Sequence, residues 1–203
     1  MPSIYDLKPA FQRLLRPVCG ALARNGITAN QVTVSAAVLS GAVGTAIALA
    51  PQARWPLLVL PAWLFLRMAL NAIDGLLARE FGQQSRLGAL LNEVGDVVSD
   101  TALYLPFALV PCFDARLVVA ITLLAIISEL AGLAALLVGS ARRYDGPMGK
   151  SDRAFVFGLL GLLLGLGVPG GWWITAILGA VIVLLVLTVA NRMRRALGSH
   201  AAG

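Results

Sequence analysis

The sequence predicts an all-α integral membrane protein: six transmembrane helices preceded by an N-terminal amphipathic interfacial helix, with both termini cytoplasmic. Three observations predict it. Of 203 residues, 59% are hydrophobic and only 13% are charged, with mean hydropathy +0.84; a soluble domain is nearer a quarter charged. Apolar stretches long enough to cross a bilayer recur along the chain. Lys and Arg gather at alternate ends of those stretches. No polar stretch is long enough to build a separate globular domain. Residues 1–203 therefore read as one membrane domain, with an interfacial helix at 1–28, a six-helix bundle at 31–190 and a basic tail at 191–203.

In the first segment Ile4, Leu7, Phe11, Leu14, Leu15 and Val18 recur at helical spacing with Lys8, Arg13 and Arg16 between them. That pattern suits a helix on an anionic leaflet and equally one packed on the membrane domain. Six spans follow, at roughly 31–50, 56–78, 87–112, 115–139, 154–169 and 171–190. The last two are divided only by Val168-Pro169-Gly170-Gly171-Trp172-Trp173, where Pro and Gly end a helix and Trp suits an interface. Merging them would leave an apolar segment nearly twice the length one span needs. Lys8, Arg13, Arg16, Arg24, Arg79, Arg86, Arg142, Arg143, Lys150, Arg153, Arg192, Arg194 and Arg195 all fall on one side of this topology, against Arg54 and Arg116 on the other. The positive-inside rule makes the first side cytoplasmic. Cys19 and Cys112 fall near opposite faces and are not expected to pair.

The polar residues inside spans two and three carry the functional signal. A carboxylate in hydrocarbon is costly enough to mark a functional site or a buried partner. Asn71 and Asp74 are three apart, and Asn92, Asp96 and Asp100 follow every four, so each set lines one helix face. With span two running inward and span three back, Asp74 and Asn92 lie roughly 7–8 Å from the cytoplasmic ends, and Asn71 and Asp96 roughly 12–14 Å. Arg67 and Asp100 come out deeper, roughly 18–20 Å. The spacing thus predicts an outer layer of Asn71, Asp74, Asn92 and Asp96 and a structural inner layer. There Arg67 pairs with Asp100, or with Glu129 of span four, because an unpaired charge would be very costly.

Hard oxygen ligands from two helices suit Mg²⁺ or Mn²⁺ bound together with substrate phosphates. Gly75 and Gly88 admit either a bulky ligand or a neighbouring helix. Arg79 suits either a diphosphate or a topology-setting surface position. A membrane ion or proton transporter would also use aligned intramembrane acids. The polar residues sit in the cytoplasmic half alone, however, and no matching broken helices occur in two halves of the chain.

Together, Asn71, Asp74, Gly75, Ala78, Arg79, Gly88, Asn92 and Asp96 resemble the signature of the CDP-alcohol phosphotransferase family, D-x2-D-G-x2-A-R-x8-G-x3-D-x3-D. Every spacing is kept, and the two departures, Asn71 and Asn92, are both Asp to Asn. Upstream, Gly26-Ile27-Thr28-Ala29-Asn30-Gln31-Val32-Thr33 is similar to the family's G-I-T-P-N-x-x-T entry into its first span, with Ala29 where proline is usual. The resemblance implies transfer of the substituted phosphate of a CDP-linked donor, commonly CDP-diacylglycerol, to an alcohol with release of CMP. It implies Asp74 and Asp96 as ligands of Mg²⁺ or Mn²⁺, with Asn71 and Asn92 at the other two metal positions, and Asp96 as base. Asn30, Thr33, Gly75, Ala78, Arg79 and Gly88 would lie along the nucleotide and diphosphate.

Two aspartates in place of four predict one tight ion at most, or metal that arrives with the nucleotide. Arg142, Arg143, Lys150 and Arg153 cluster in one loop and suit either a phosphate on the acceptor, such as glycerol phosphate or inositol phosphate, or topology and lipid headgroups. A non-catalytic, lipid-binding relative is the remaining alternative. The resemblance further implies a homodimer in the bacterial inner membrane, its active site facing the cytoplasm, with membrane lipids and no nucleic acid as partners.

Overall fold

The computed structural model describes residues 4–198, with side chains from residue 11 onward. Residues 199–203 of the basic tail, and the side chains of Ile4, Leu7 and Lys8, lie outside the described residues. Seven α-helices account for most of the described chain, and no strand occurs among the described residues. They are α1 (Ile4–Arg24), α2 (Ala29–Leu49), α3 (Trp55–Glu80), α4 (Arg86–Tyr104), α5 (Ala115–Ala134), α6 (Lys150–Gly165) and α7 (Trp172–Gly198). Each of the six expected spans contains one of α2 to α7. Two of them end differently from the apolar pattern. α4 tightens into a 3-10 turn at Leu105–Leu109, where Pro106 offers no amide hydrogen, and α5 does the same at Ala135–Val138. α6 and α7 are separate helices; Gly167, at φ 94, turns the chain after α6 in a conformation that a side chain would strain.

Four helical segments are long and apolar enough to cross a membrane: Ala29–Leu49, Trp55–Glu80, Ala115–Val138 and Trp172–Gly198. α4 is 19 residues long and carries Glu93, Asp96 and Asp100, and α6 is 16 residues long. The chain is a membrane protein in which α3 and α4 run unbroken through their charged residues.

The described chain forms two compact units, one from residues 4–42 and 62–99, the other from 43–61 and 100–198. In the first, α1 lays Leu15, Cys19, Leu22 and Ala23 against Ala29 and Val32 of α2 and Ile73, Leu76 and Leu77 of α3. Leu14 and Val18, one turn apart on α1, are exposed, so α1 packs on the bundle and also offers apolar side chains outward. A bidentate ion pair between Arg16 and Glu80, with contacts of 3.0 Å, joins α1 to the end of α3. α1 closes with a left-handed Gly26, whose neighbour Ile27 donates to Leu22 O at 3.0 Å, and the chain enters α2 directly. Inside the unit, the buried Trp63 indole donates to Ser40 Oγ at 3.1 Å.

In the second unit α5 packs along α7. Tyr104 stacks on Phe157 at 4.4 Å between ring centroids, and Phe107 meets the edges of Phe157 and Phe113. Gly44 leaves no room for a Cβ beside the Ala102 carbonyl, so α2 and α4 approach backbone to backbone there. The loop after α5 is pinned by Arg143 N–H donating to Gly132 O at 3.1 Å and Met148 N–H donating to Thr188 Oγ1 at 2.9 Å. Cys19 and Cys112 are both free.

Candidate active site

The outer polar layer is assembled within the first unit from α2, α3 and α4. The two ends of α2 and α4 that bear on it are capped by their own sequences. Thr28 and Gln31 form a reciprocal box: Thr28 Oγ1 accepts from Gln31 N–H at 3.2 Å, and Gln31 Oε1 accepts from Thr28 N–H at 2.8 Å. Ser85 Oγ accepts from Gly88 N–H at 2.9 Å at the start of α4. α2 carries Asn30 and Thr33, α3 carries Arg67, Asn71, Asp74 and Arg79, and α4 carries Gly88 and Asp96, with Asn92 one turn before Asp96 on the same helix.

Asp74 is buried, 3% exposed. Its Oδ2 accepts from the Thr33 hydroxyl at 2.7 Å, while its Oδ1 is buried with no hydrogen-bond donor. A buried carboxylate oxygen in that condition has its desolvation uncompensated by protein, which is the state a bound cation relieves. Asp96 is held differently. Its Oδ1 accepts from Asn71 Nδ2 at 3.1 Å and from Arg67 Nη2 at 3.2 Å; the same Arg67 nitrogen donates to the Asp96 backbone carbonyl at 3.3 Å. The glycines make room for side chains of the site itself. A Cβ on Gly75 would stand 3.2 Å from the Arg79 guanidinium, and one on Gly88 would stand 2.7 Å from Asn30 Oδ1. Arg79 thus folds back over Gly75, and the Asn30 amide rests against Gly88. Ala78 is half-buried beside them, in contact with the core under α1.

Arg67 was expected to meet Asp100 or Glu129; within its own unit it meets Asp96, which ties it to the outer layer. Asp100 and Glu129 have a shared partner in Arg153, which donates through Nη2 to Asp100 Oδ2 at 2.8 Å and to Glu129 Oε1 at 3.2 Å. Arg142 and Arg192 also reach Glu129 Oε2, at 3.3 and 3.5 Å. Arg153 is 1% exposed, and its Nε and Nη1 have no hydrogen-bond partner. Sequence reasoning counted Arg192 only toward topology. It is buried, and its guanidinium donates to Ser128 O and, at 3.3 Å, to Asp145 O. The signal was present: Ile174, Leu178, Val181, Leu185, Thr188 and Arg192 form one stripe at helical spacing, all buried.

Arg143, Asn191, Arg194, Arg195 and Gly198 line a cavity of about 500 Å³ in the second unit. Arg143 donates to Arg195 O at 2.7 Å, and Arg195 pairs with Asp145 at 2.7 Å. Lys150 begins α6. Gln83 and Ser85, in the turn between α3 and α4, were not singled out from the sequence.

The profile of the CDP-alcohol phosphatidyltransferase family matches residues 26–190. The chain belongs to that family. It is a CDP-alcohol phosphotransferase, an enzyme. Among its relatives, the inner membrane protein YnbA of Escherichia coli is 46% identical over 96% of this chain and 96% of its own length. A phosphatidylinositol phosphate synthase of Corynebacterium glutamicum is 30% identical over 95% of this chain and 88% of its own. Among solved structures, the phosphatidylinositol phosphate synthase of Mycobacterium tuberculosis with CDP-DAG bound superposes with a TM-score of 0.77, covering 91% of this chain and 94% of that one at 19% identity. The same enzyme in complex with manganese and citrate gives a TM-score of 0.75. At that identity the likeness is one of fold.

Proposed function

We propose that this enzyme transfers the phosphatidyl group of CDP-diacylglycerol, or of a related CDP-linked donor, to a phosphorylated alcohol of the glycerol phosphate or inositol phosphate type, releasing CMP. The observation that carries the donor half is the buried Asp74 Oδ1 without a donor, on the same helix as an Arg79 guanidinium folded over Gly75. A diphosphate brings the anionic oxygens such a guanidinium binds in pairs. The similarity to phosphatidylinositol phosphate synthases supports the phosphorylated acceptor.

Asp74 and Asp96, with the amides of Asn71 and Asn92, fit one hard divalent ion, Mg²⁺ or Mn²⁺, that completes its shell with substrate phosphates. Among the described residues no group of three or more His, Cys, Asp or Glu side chains gathers to hold an ion unaided. Bound there, the ion would neutralise charge on the diphosphate and the departing CMP. Asn30, Thr33, Gly75, Ala78, Arg79 and Gly88 line the nucleotide and diphosphate. Asp96, oriented by Asn71 and Arg67, takes the proton of the acceptor hydroxyl as its oxygen attacks the phosphatidyl phosphorus and the bond to CMP breaks.

Arg142, Arg143, Lys150 and Arg153 hold the acceptor's phosphate. Support comes from the buried Arg153 Nε and Nη1, donors that a phosphate would satisfy, and from the place of Arg143 on the rim of a basic cavity. Arg67, which holds Asp96, and Asp100 and Glu129, which hold Arg153, are structural charges. In this reading α4 with its 3-10 continuation and α6 also cross the bilayer, both termini and the site face the cytoplasm, the protein resides in a bacterial inner membrane, and it works as a homodimer.

The test is CMP release by the purified protein in lipid nanodiscs, given radiolabelled CDP-diacylglycerol, Mn²⁺ or Mg²⁺, and a panel of alcohols and phospho-alcohols. Release is expected with a phospho-alcohol, abolished by chelator and by D74N or D96N. Equal release with plain alcohols would sink the acceptor assignment, and full activity in D74N or D96N would sink the assigned roles.

A further inference from the structure

We propose that Gln83 is a positioning residue: its side-chain amide latches the first turn of α2 to the turn between α3 and α4, and so sets the donor site's geometry. The proposal rests on the donor-site reading above. The Gln83 Oε1 accepts from the Ala29 backbone N–H at 2.7 Å, in a half-buried contact. Ala29 is the first residue of α2, so its N–H is one of the four a helix start leaves without an internal partner. Thr28 and Gln31 satisfy each other and leave the Ala29 N–H for an outside acceptor. Gly82, at φ 67, ends α3 in a left-handed turn of the kind that folds a chain back. Three residues further on, Ser85 caps α4 through Gly88 N–H.

The turn from Phe81 to Ser85 is therefore tied at one point to α2 and at another to α4. Asn30 and Thr33 ride on the tied turn of α2; Arg79 precedes the tied loop and Gly88 follows it. The fit between Asn30 and Gly88 has no slack, because even a Cβ at Gly88 would stand 2.7 Å from Asn30 Oδ1. Releasing the latch lets α2 drift from that register without removing any group that touches the donor.

Ala29 supplies an unusually clean control. Proline is favoured at the first position of a helix and carries no N–H, so A29P deletes the donor of this bond while preserving the helix start. Q83A, A29P and the double variant are compared for donor KM, kcat and amide exchange. Q83A is expected to raise the KM for CDP-diacylglycerol about tenfold, the scale of one lost hydrogen bond, with a smaller change in kcat. A29P should do the same, and the double variant should be no worse than either single. Hydrogen exchange across residues 28–33, read by mass spectrometry, should quicken in Q83A and recover in Q83E, which keeps the acceptor oxygen. Additive KM effects, or an unchanged KM in Q83A, overturn the positioning role. Unchanged exchange in Q83A overturns the latch itself, and that readout holds even if the unmutated protein releases no CMP.

Discussion

Asn71 of α3 and Asp96 of α4 meet side chain to side chain, the amide Nδ2 donating to the carboxylate Oδ1 at 3.1 Å. Arg67 supplies a second donor to the same oxygen at 3.2 Å. This side of Asp96 is therefore occupied by an amide hydrogen and a guanidinium, groups that repel a cation. A single divalent ion per chain is the expected stoichiometry, measured by Mn²⁺ titration with electron paramagnetic resonance in the presence of the CDP-linked donor. N71D replaces the donor with a charged oxygen and should raise Mn²⁺ affinity on the order of tenfold, as affinity follows ligand charge. Two equivalent ions in the unmutated protein would refute this account of Asp96.

Thr33 orients Asp74 through a 2.7 Å bond to Oδ2, leaving Oδ1 for a ligand. Partners of this kind typically contribute 10–100-fold to metal affinity. T33V should weaken Mn²⁺ binding by roughly that factor, and T33S should restore it. If T33V binds Mn²⁺ as the unmutated protein does, the hydroxyl does not prepare the carboxylate.

Glu129 gathers Arg142, Arg153 and Arg192 in the second unit, and Asp100 shares Arg153. Breaking a buried pair by removing one partner costs about 3–5 kcal/mol. E129A removes the one acid that all three arginines share and should lower the thermal midpoint in detergent more than D100A does. The opposite ranking would show that Asp100, not Glu129, organises the cluster.

Arg143 touches the basic cavity, and its loss should be felt by the acceptor. R143A is expected to raise the KM for a phospho-alcohol about tenfold or more while leaving the KM for the CDP-linked donor unchanged, the effect of losing a charge-assisted contact. An equal rise for both substrates would move Arg143 out of the acceptor site.

For Arg67 the pairing changes what its removal should do. R67A withdraws a donor from Asp96 and should lower both stability and kcat. In R67A/D96N the carboxylate charge is gone, so the thermal midpoint should recover while CMP release stays absent. No recovery in the double variant would place the cost of R67A elsewhere.

Much of this architecture is legible in the chain. Hydropathy marks a helix in every expected segment, and three- and four-residue spacing puts Asn71 with Asp74 and Asn92 with Asp96 on shared faces. Rise per residue puts Asn71 level with Asp96, and the two do hydrogen-bond. Gln83 was illegible because it carries no pattern: a single amide in a polar turn reads as solvent-facing until the helix start it caps is beside it. Arg192 carries only a topological signal in the sequence, because charge at a span end satisfies the positive-inside rule whether the side chain is exposed or buried.

By itself the sequence determined the class of fold, the approximate ends of the helices and which polar residues share a face, because hydropathy and a 1.5 Å rise are local properties of the chain. Only the tertiary structure decided the partners. Arg153 was one cation among four in a basic loop, and became the buried partner of Asp100 and Glu129. Arg67, which rise per residue alone puts level with Asp100, holds Asp96. Periodicity specifies depth and face but not the rotation of one helix against another, and charge pairing between residues 29 or 53 positions apart depends on that rotation.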